Sequence, residues 1–480
     1  MALMIINGQP VAAANGETME VRNPATKEVV DKVPKGSAED ARRAIEAAAA
    51  AFPKWSAMPA HQRSAILLKT AAHVREHLEE VAKLLTAEQG KPIRDSHIEA
   101  DRFAAGIEMY AGLVAGGHLK GQQMSLPQYK AMGLVVRRPM GVVGAIIPWN
   151  FPLTLFANKM APALAVGNTV VAKPASTTPL STLRLAELMY EAGLPEGVLN
   201  VVTGPGSVVG EELIRHPLVR KIGFTGETVT GQHVMASAAP EIKRVTLELG
   251  GSDPAIVCDD ADVELAAKSI AIGRFFNCGQ ACLAVKRVYV QEPVAEEFIE
   301  KIVGRAQRLK VGPGTDQQSQ MGPMHTEGGR AGIESQLKDA TDRGGKVLAG
   351  GKRPTGDGFD QGYYFEPTVI TDVPEDARVW KEETFGPLLP IMVVKDFEEA
   401  LQRANNTEYG LGSSIFTRDF GKAQRAIDEI QAGYTWVNSI QVAYDELPFG
   451  GWKHSGIGKE HGTDVLDHYT EEKSVILSGV

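Results

Sequence analysis

Val142-Val-Gly-Ala-Ile-Ile147, Thr169-Val-Val-Ala172, Val198-Leu-Asn-Val-Val202, Lys221-Ile-Gly-Phe224 and Arg244-Val-Thr-Leu-Glu-Leu249 are five short, β-branched apolar runs. Amphipathic segments near 153–166, 179–192, 207–214 and 228–238 separate them. Strands alternating with helices predict βαβ units and a parallel sheet covered on both faces. Ligands of such sheets sit outside the carboxyl ends of the strands. Those ends read Pro148-Trp149-Asn150, Lys173-Pro174, Gly204-Pro205-Gly206, Thr225-Gly226 and Gly250-Gly251. They carry glycine, hydroxyl, amide and one lysine, as a polar or anionic ligand requires.

Upstream, Ser37 and Asp40 mark a helix start, followed by an Ala-rich helix over 41–52 that Pro53 should stop. Residues 60–89 carry Ile66, Leu67, Val74, Leu78, Val81 and Leu85 at helical spacing up to Gly90. A third helix spans about 93–113, and 130–138 reads as an extended excursion. After 251 a second alternating series begins. Strands are expected at 255–258, 287–290, 368–372, 413–416 and 434–437, with helices near 263–276, 294–309, 329–343, 397–404 and 420–430. The end of the chain, Ser474-Val-Ile-Leu-Ser478, is strand-like and apolar, and an exposed edge there would invite another subunit.

The 480 residues suggest about three units, at roughly 150 residues each. With 43% hydrophobic residues the chain can bury a large core, which excludes wholesale disorder. The formal net charge of −9 repels phosphate backbones and anionic lipid, so neither nucleic acid nor a membrane surface is expected as partner. No apolar run is long enough to span a bilayer, and the first residues lack the basic and apolar regions of a secretory signal. Three cysteines cannot build a disulfide framework, which points to a reducing, cytoplasmic setting.

Gly204-Pro-Gly206-Ser-Val-Val-Gly210 misses the last glycine of G-x-G-x-x-G by one position. Gly206 still opens a helix whose N–H groups could meet a phosphate, although a tight turn alone would also demand glycine. Cys258 sits in an apolar strand and reads as core. Cys278 and Cys282, in Asn277-Cys-Gly-Gln-Ala-Cys282, lack the spacing and partners of a metal site, so no metal is expected. A thiol in a loop after a helix can be a nucleophile if its pKa is lowered. Such chemistry needs a base and an oxyanion site. Glu248 alternates away from Val245, Leu247 and Leu249 in a strand covered on both faces, so it either serves a site or is satisfied by backbone N–H groups. Asn150 could donate to an oxyanion or cap the following helix.

Together these stretches resemble the aldehyde dehydrogenase superfamily over essentially the whole chain. The carrying motifs are Pro148-Trp-Asn-Phe-Pro152, Thr169-Val-Val-Ala-Lys-Pro-Ala175, Gly223-Phe-Thr-Gly226, Leu247-Glu-Leu-Gly-Gly251, Gly279-Gln-Ala-Cys282, Glu382-Glu-Thr-Phe-Gly-Pro387 and Pro448-Phe-Gly-Gly-Trp-Lys453. The resemblance implies a Rossmann-like α/β cofactor domain (1–120 and 140–250), an α/β catalytic domain (251–455) and a small β oligomerisation arm (121–139 and 456–480) in a homodimer or homotetramer. It implies oxidation of an aldehyde to a carboxylic acid with NAD or NADP. Cys282 would be the nucleophile, Asn150 the oxyanion donor and Glu248 the base for hydrolysis. Lys173 would meet the adenosine ribose, with Ile147 and Ser176 beside the cofactor and Gly206 and Gly210 near the adenine. Trp149, Phe224, Gly226 and Glu227 would lie near the pyrophosphate, and Glu383 with Phe385 around the nicotinamide ribose and ring.

Two departures from common members involve three positions. Ser176 stands where NAD-preferring members often carry a glutamate, so a 2′-phosphate is not repelled and NADP is expected to bind. Asn158 and Phe276 stand where members acting on succinate semialdehyde carry arginines. A pocket of Phe151, Leu155, Asn158, Phe276, Leu283 and Phe449 has no fixed cation, which favours a neutral aliphatic or aromatic aldehyde. A succinate-semialdehyde-type enzyme and a CoA-acylating dehydrogenase are the alternatives, and Glu248 argues against the second. Cys278 is either a passive neighbour or an oxidation partner of Cys282.

Overall fold

A computed structural model describes residues 1–119, 121–356 and 358–478. The five apolar runs form the parallel centre of an eight-stranded sheet. In space they lie in the order Arg244–Glu248, Val219–Thr225, Val142–Ile146, Thr169–Lys173, Leu199–Val201. The chain therefore winds outward one way from Val142–Ile146, then returns to its other side at Val219–Thr225. That reversal opens a crevice at the carboxyl ends of these two strands, where Pro148, Trp149, Thr225 and Gly226 lie. Antiparallel strands close both edges: Met4–Ile6 and Gln9–Val11 on one side, Gly456–Ile457 on the other.

A second sheet has seven strands in the order Lys346–Ala349, Thr368–Thr371, Leu388–Val394, Val285–Gln291, Asp253–Val257, Gly412–Phe416, Tyr434–Val437. All but the first pair are parallel. Only residues 249–252 connect Glu248 to Asp253. The short link sets the amino ends of the second sheet against the carboxyl ends of the first. Each sheet has its own apolar core, with helices against it. A third, antiparallel sheet joins Gln122–Leu126, Ala131–Pro139 and Thr470–Ser478. Among the described residues no helix is long and apolar enough to cross a membrane.

Several expectations change. Pro53 does not stop the first helix, which runs Ala38–Ala57. The additional turn is held by Trp55, which is buried and whose Nε1 donates to the Leu164 carbonyl at 3.2 Å. The periodic stretch 60–89 is two helices, Ala60–Glu76 and Leu78–Gln89, broken at His77 (φ −116°, ψ 16°). The segment after Gly206 begins as a π turn, Gly206–Gly210, before Glu211–Arg215. Leu388–Val394 was not expected from the sequence; it is the third of the seven strands although it contains Pro390, a residue disfavoured inside sheets. The end of the chain does pair, but with Ala131–Pro139 of its own chain. Part of the stretch 456–480 belongs with the first sheet: Gly456–Ile457 joins it, and Val465, Leu466 and Tyr469 pack into its core.

Leu389 is wholly buried in the core of the second sheet. Leu389→Ala is expected to lower stability by about 2–5 kcal/mol. The measurement is the denaturant midpoint, which should fall at unchanged slope.

Candidate active site

The crevice between the sheets encloses about 630 Å³, and Trp149, Asn150, Gly226, Glu227, Cys282, Glu383 and Phe385 line it. Cys282 sits in the loop between the helix Val263–Phe275 and the strand Val285–Gln291. The loop turns through three consecutive left-handed residues, Asn277 (φ 50°), Cys278 (φ 57°) and Gly279 (φ 71°). Such conformations cost side-chain-bearing residues about 1–2 kcal/mol each. Buried polar contacts compensate. The Arg274 guanidinium donates to the carbonyls of Val285 (3.0 Å), Gly279 (3.4 Å), Thr384 (3.0 Å) and Gly386. The Gln280 side chain donates to the Asn277 carbonyl at 3.0 Å and accepts the His325 N–H at 2.8 Å.

Asn150 is tied to this loop from the other sheet. Its Nδ2 donates to the Gln280 carbonyl at 3.2 Å, while its own carbonyl accepts from Asn277 Nδ2 at 3.1 Å and Lys91 Nζ at 2.8 Å. It does not cap the helix Pro152–Val166. Glu99 does so from outside, Oε1 accepting the N–H groups of Leu153 (2.9 Å) and Thr154 (3.3 Å) and Oε2 pairing with Lys91.

Cys282 is half-buried and is one of the residues that line the cleft. Desolvation by the surrounding protein pushes its thiol up to about 12; Lys286 opposes this, whereas Glu248, Glu383 and Asp253 add to it. Glu248 is buried with neither oxygen hydrogen-bonded, so backbone N–H groups do not satisfy it. Burial, and then the Glu460 charge, raise its proton affinity well above the carboxylate range, against Lys159 and Lys459. It stands off the cleft against Gly450, where a Cβ would collide with Oε1. Beside it runs a buried chain absent from the sequence reading. Lys159 Nζ pairs with Glu460 Oε1 at 2.7 Å and donates to Thr225 Oγ1, on the cleft wall, at 2.6 Å. A lysine as the single charged residue of the run 152–166 was the available signal.

Around the first sheet, the Ile147 N–H donates to the Lys173 carbonyl at 3.0 Å. Lys173 is buried, its Nζ donating to the Pro174 carbonyl at 2.8 Å, and burial lowers its pKa to about 8. Ser176 Oγ donates to the Gly204 carbonyl at 3.0 Å. Gly206 faces open space, Gly210 borders Lys173, and a Cβ on Gly226 would strike the Phe224 ring. Trp149 stacks on His325 (centroids 4.5 Å, 11°) with Phe385 edge-on at 5.7 Å. Glu383 Oε1 accepts from Lys286 Nζ at 2.7 Å and the Gly251 N–H at 3.0 Å.

The residues expected to hold substrate lie outside this crevice. Phe151 stacks on Phe276 (5.7 Å, 16°), and Phe276 borders a second groove of about 650 Å³ with Arg94, Lys268 and Arg308. Asn158 is not free to face a ligand: its Nδ2 contacts Glu460 Oε2 at 3.1 Å and His461 Nε2 at 2.8 Å. Leu155 is buried, Phe449 packs on His461 (6.0 Å), and Leu283 is half-buried. Cys278 is buried with its sulfur 3.7 Å from Met324 Sδ.

The profile of the aldehyde dehydrogenase family matches residues 11–475. The chain belongs to the aldehyde dehydrogenase family. A glutarate-semialdehyde dehydrogenase of Pseudomonas putida is 41% identical over 476 residues, covering 98% of this chain and 97% of that protein. An NADP(+) succinate-semialdehyde dehydrogenase of Escherichia coli is 41% identical over 473 residues, with coverage of 98% and 97%. Among solved structures, an E. coli NADP-dependent enzyme superposes with TM-score 0.97 at 40% identity, covering 99% of this chain and 98% of that one. A betaine aldehyde dehydrogenase of Staphylococcus aureus in complex with NAD+ gives 0.95 at 38% identity, covering 99% and 94%. Membership makes this chain an enzyme that oxidises an aldehyde with NAD or NADP.

Removing Glu99 would leave the Lys91 ammonium, wholly buried, without its partner. Glu99→Ala is expected to cost about 3–5 kcal/mol of stability, whereas replacing the pair by Lys91→Met with Glu99→Leu should recover only the part due to the unpaired ammonium, because the Leu153 and Thr154 N–H groups still lose their acceptor. Thermal unfolding of the two variants checks this.

Proposed function

We propose that the crevice oxidises a neutral aldehyde to its carboxylic acid by covalent catalysis at Cys282. The observation that carries this reading is that Cys282 lines the crevice while the Asn150 carboxamide is bonded to the Gln280 carbonyl, two residues before it. The Cys282 thiolate adds to the aldehyde carbon. The Asn150 Nδ2 and the Cys282 backbone N–H hold the resulting oxyanion. A nicotinamide in the crevice supplies the hydride acceptor. A thioester then remains on Cys282, and Glu248, turned in from Gly450, takes the proton of the water that hydrolyses it. Burial raises its proton affinity above that of an ordinary carboxylate, so the ionised group is a stronger base.

The residues present fit the cofactor. Glu383 Oε2 lies over Gly250 on the crevice wall, where a Cβ would collide with it, so a ribose hydroxyl can approach. Trp149, Gly226, Glu227 and Phe385 would hold the pyrophosphate-to-nicotinamide half, and Lys173, Ser176, Gly206 and Gly210 the adenosine half. The Ser176 hydroxyl, bonded to a backbone carbonyl, offers no charge against a 2′-phosphate, so both NAD and NADP serve. The thioester is hydrolysed rather than passed to CoA, because acyl transfer to a thiol needs no water-activating carboxylate.

The uncharged Asn158 and Phe276, at positions where succinate-semialdehyde enzymes would carry arginines, support a neutral aliphatic or aromatic substrate. A second reading, a semialdehyde with a distal carboxylate, is supported by the names of the relatives and by Arg94, Lys268 and Arg308 beside Phe276. The exposed outer face of Thr470–Ser478, with Ile476 67% exposed, supports a homodimer or homotetramer built through that arm. Three free cysteines support a cytoplasmic setting.

Cys282→Ala is expected to abolish turnover, and Glu248→Gln to give a stoichiometric burst of NAD(P)H absorbance without steady-state turnover. Steady-state oxidation surviving both substitutions refutes the scheme. In a panel read with both cofactors and without CoA, neutral aldehydes should exceed succinate and glutarate semialdehydes in kcat/KM. A semialdehyde ahead by a wide margin establishes the second reading instead.

A further inference from the structure

Lys286 has no part in the chemistry above, yet its surroundings give it one. It is the second residue of Val285–Gln291, four residues after Cys282, and its side chain is wholly buried. Its Nζ donates to the Cys282 carbonyl at 2.6 Å and to Glu383 Oε1 at 2.7 Å, 5.8 Å from the Phe385 ring centroid. The Gly251 N–H completes the grip on Oε1, leaving Oε2 over Gly250 at the crevice wall. A buried ammonium is tolerated only when its donors are matched, so the nucleophile loop and the Glu383 carboxylate are both fixed by this one group.

We propose that Lys286 is a positioning residue that locks the Cys282 loop to Glu383, so that one ammonium sets both the ribose seat and the electrostatic field at the sulfur. This rests on the roles of Cys282 and Glu383 proposed above. The charged groups acting on the sulfur come from four elements: Glu248 ends Arg244–Glu248, Asp253 begins Asp253–Val257, Glu383 precedes Leu388–Val394, and Lys286 is the cation among them. Removing Lys286 leaves carboxylates facing the thiol and makes it harder to ionise. Removing the Glu383 charge makes it easier. Either change frees the carboxylate, or its replacement, from the geometry that receives a ribose. The two variants should thus move the thiol in opposite directions and cofactor recognition in the same direction, a pattern that a purely structural role does not produce.

The test uses the full-length enzyme. The rate of iodoacetamide alkylation at Cys282, assigned by peptide mass, is followed against pH, together with KM for NAD and NADP. Lys286→Met is expected to move the alkylation midpoint up by about one to two pH units and Glu383→Gln to move it down. Both should raise the cofactor KM about tenfold, the size of one hydrogen bond to a charged group. Lys286→Arg, which keeps the charge, should restore the midpoint. A Lys286→Met profile that overlays the parent enzyme, or moves with Glu383→Gln, overturns the proposal. Should Lys286→Met not fold, an unmoved midpoint in Glu383→Gln overturns it. Failure of the underlying mechanism reads differently: Cys282→Ala would then retain turnover.

Discussion

The Arg274 guanidinium, buried and bonded to four backbone carbonyls, is the interaction on which the active loop depends. The turn at residues 277–279 has positive φ throughout, a conformation that a free peptide would leave. Two of those carbonyls belong to the loop and its following strand, and two to residues 384–386 next to Glu383. One side chain therefore joins the nucleophile segment to the segment that faces the cofactor. Asn277, Gln280 and Asn150 extend the same web across to the first sheet, so the donor for an oxyanion and the thiol share a backbone frame.

Charge around that frame is arranged unevenly. Glu248 is left without a hydrogen-bond partner, whereas Glu460, close enough to act on it, is paired with Lys159 and bonded by Asn158. An orphaned buried carboxyl is costly and persists where function needs a group able to hold or release a proton. Neighbouring Gly450 has φ 156° and no side chain, which leaves room for the carboxyl at that wall. The Lys159 ammonium meanwhile reaches Thr225 on the cleft wall, connecting the interior to the crevice through a hydroxyl.

The architecture supplies the crevice itself. Carboxyl ends of one parallel sheet face amino ends of another across a link of a few residues, so groups distant in sequence converge. Cys282, Glu383 and Tyr409 each precede a strand of the second sheet, whereas Trp149, Asn150 and Gly226 each follow a strand of the first. A reading that looks only to carboxyl ends captures half of such a site. Of the amino-end residues, Cys282 was marked by a thiol in a loop, Glu383 only by a family motif, and Tyr409 not at all.

Local pattern was enough for the first sheet: β-branched runs spaced by amphipathic helices dictate βαβ winding, and glycine and amide residues mark the strand ends. The motifs around Asn150, Glu248 and Cys282 were legible for the same reason, being short and contiguous. Leu388–Val394, which contains Pro390, was not expected, and the extension of the first helix past Pro53 was hidden because Trp55 is secured by a carbonyl more than a hundred residues away. Glu99, Lys91, Glu460, Arg274 and Lys286 look like ordinary surface charges in a linear reading. Only packing decides that they are buried, because burial and pairing depend on which distant groups the fold brings within hydrogen-bond range, and no local periodicity encodes that.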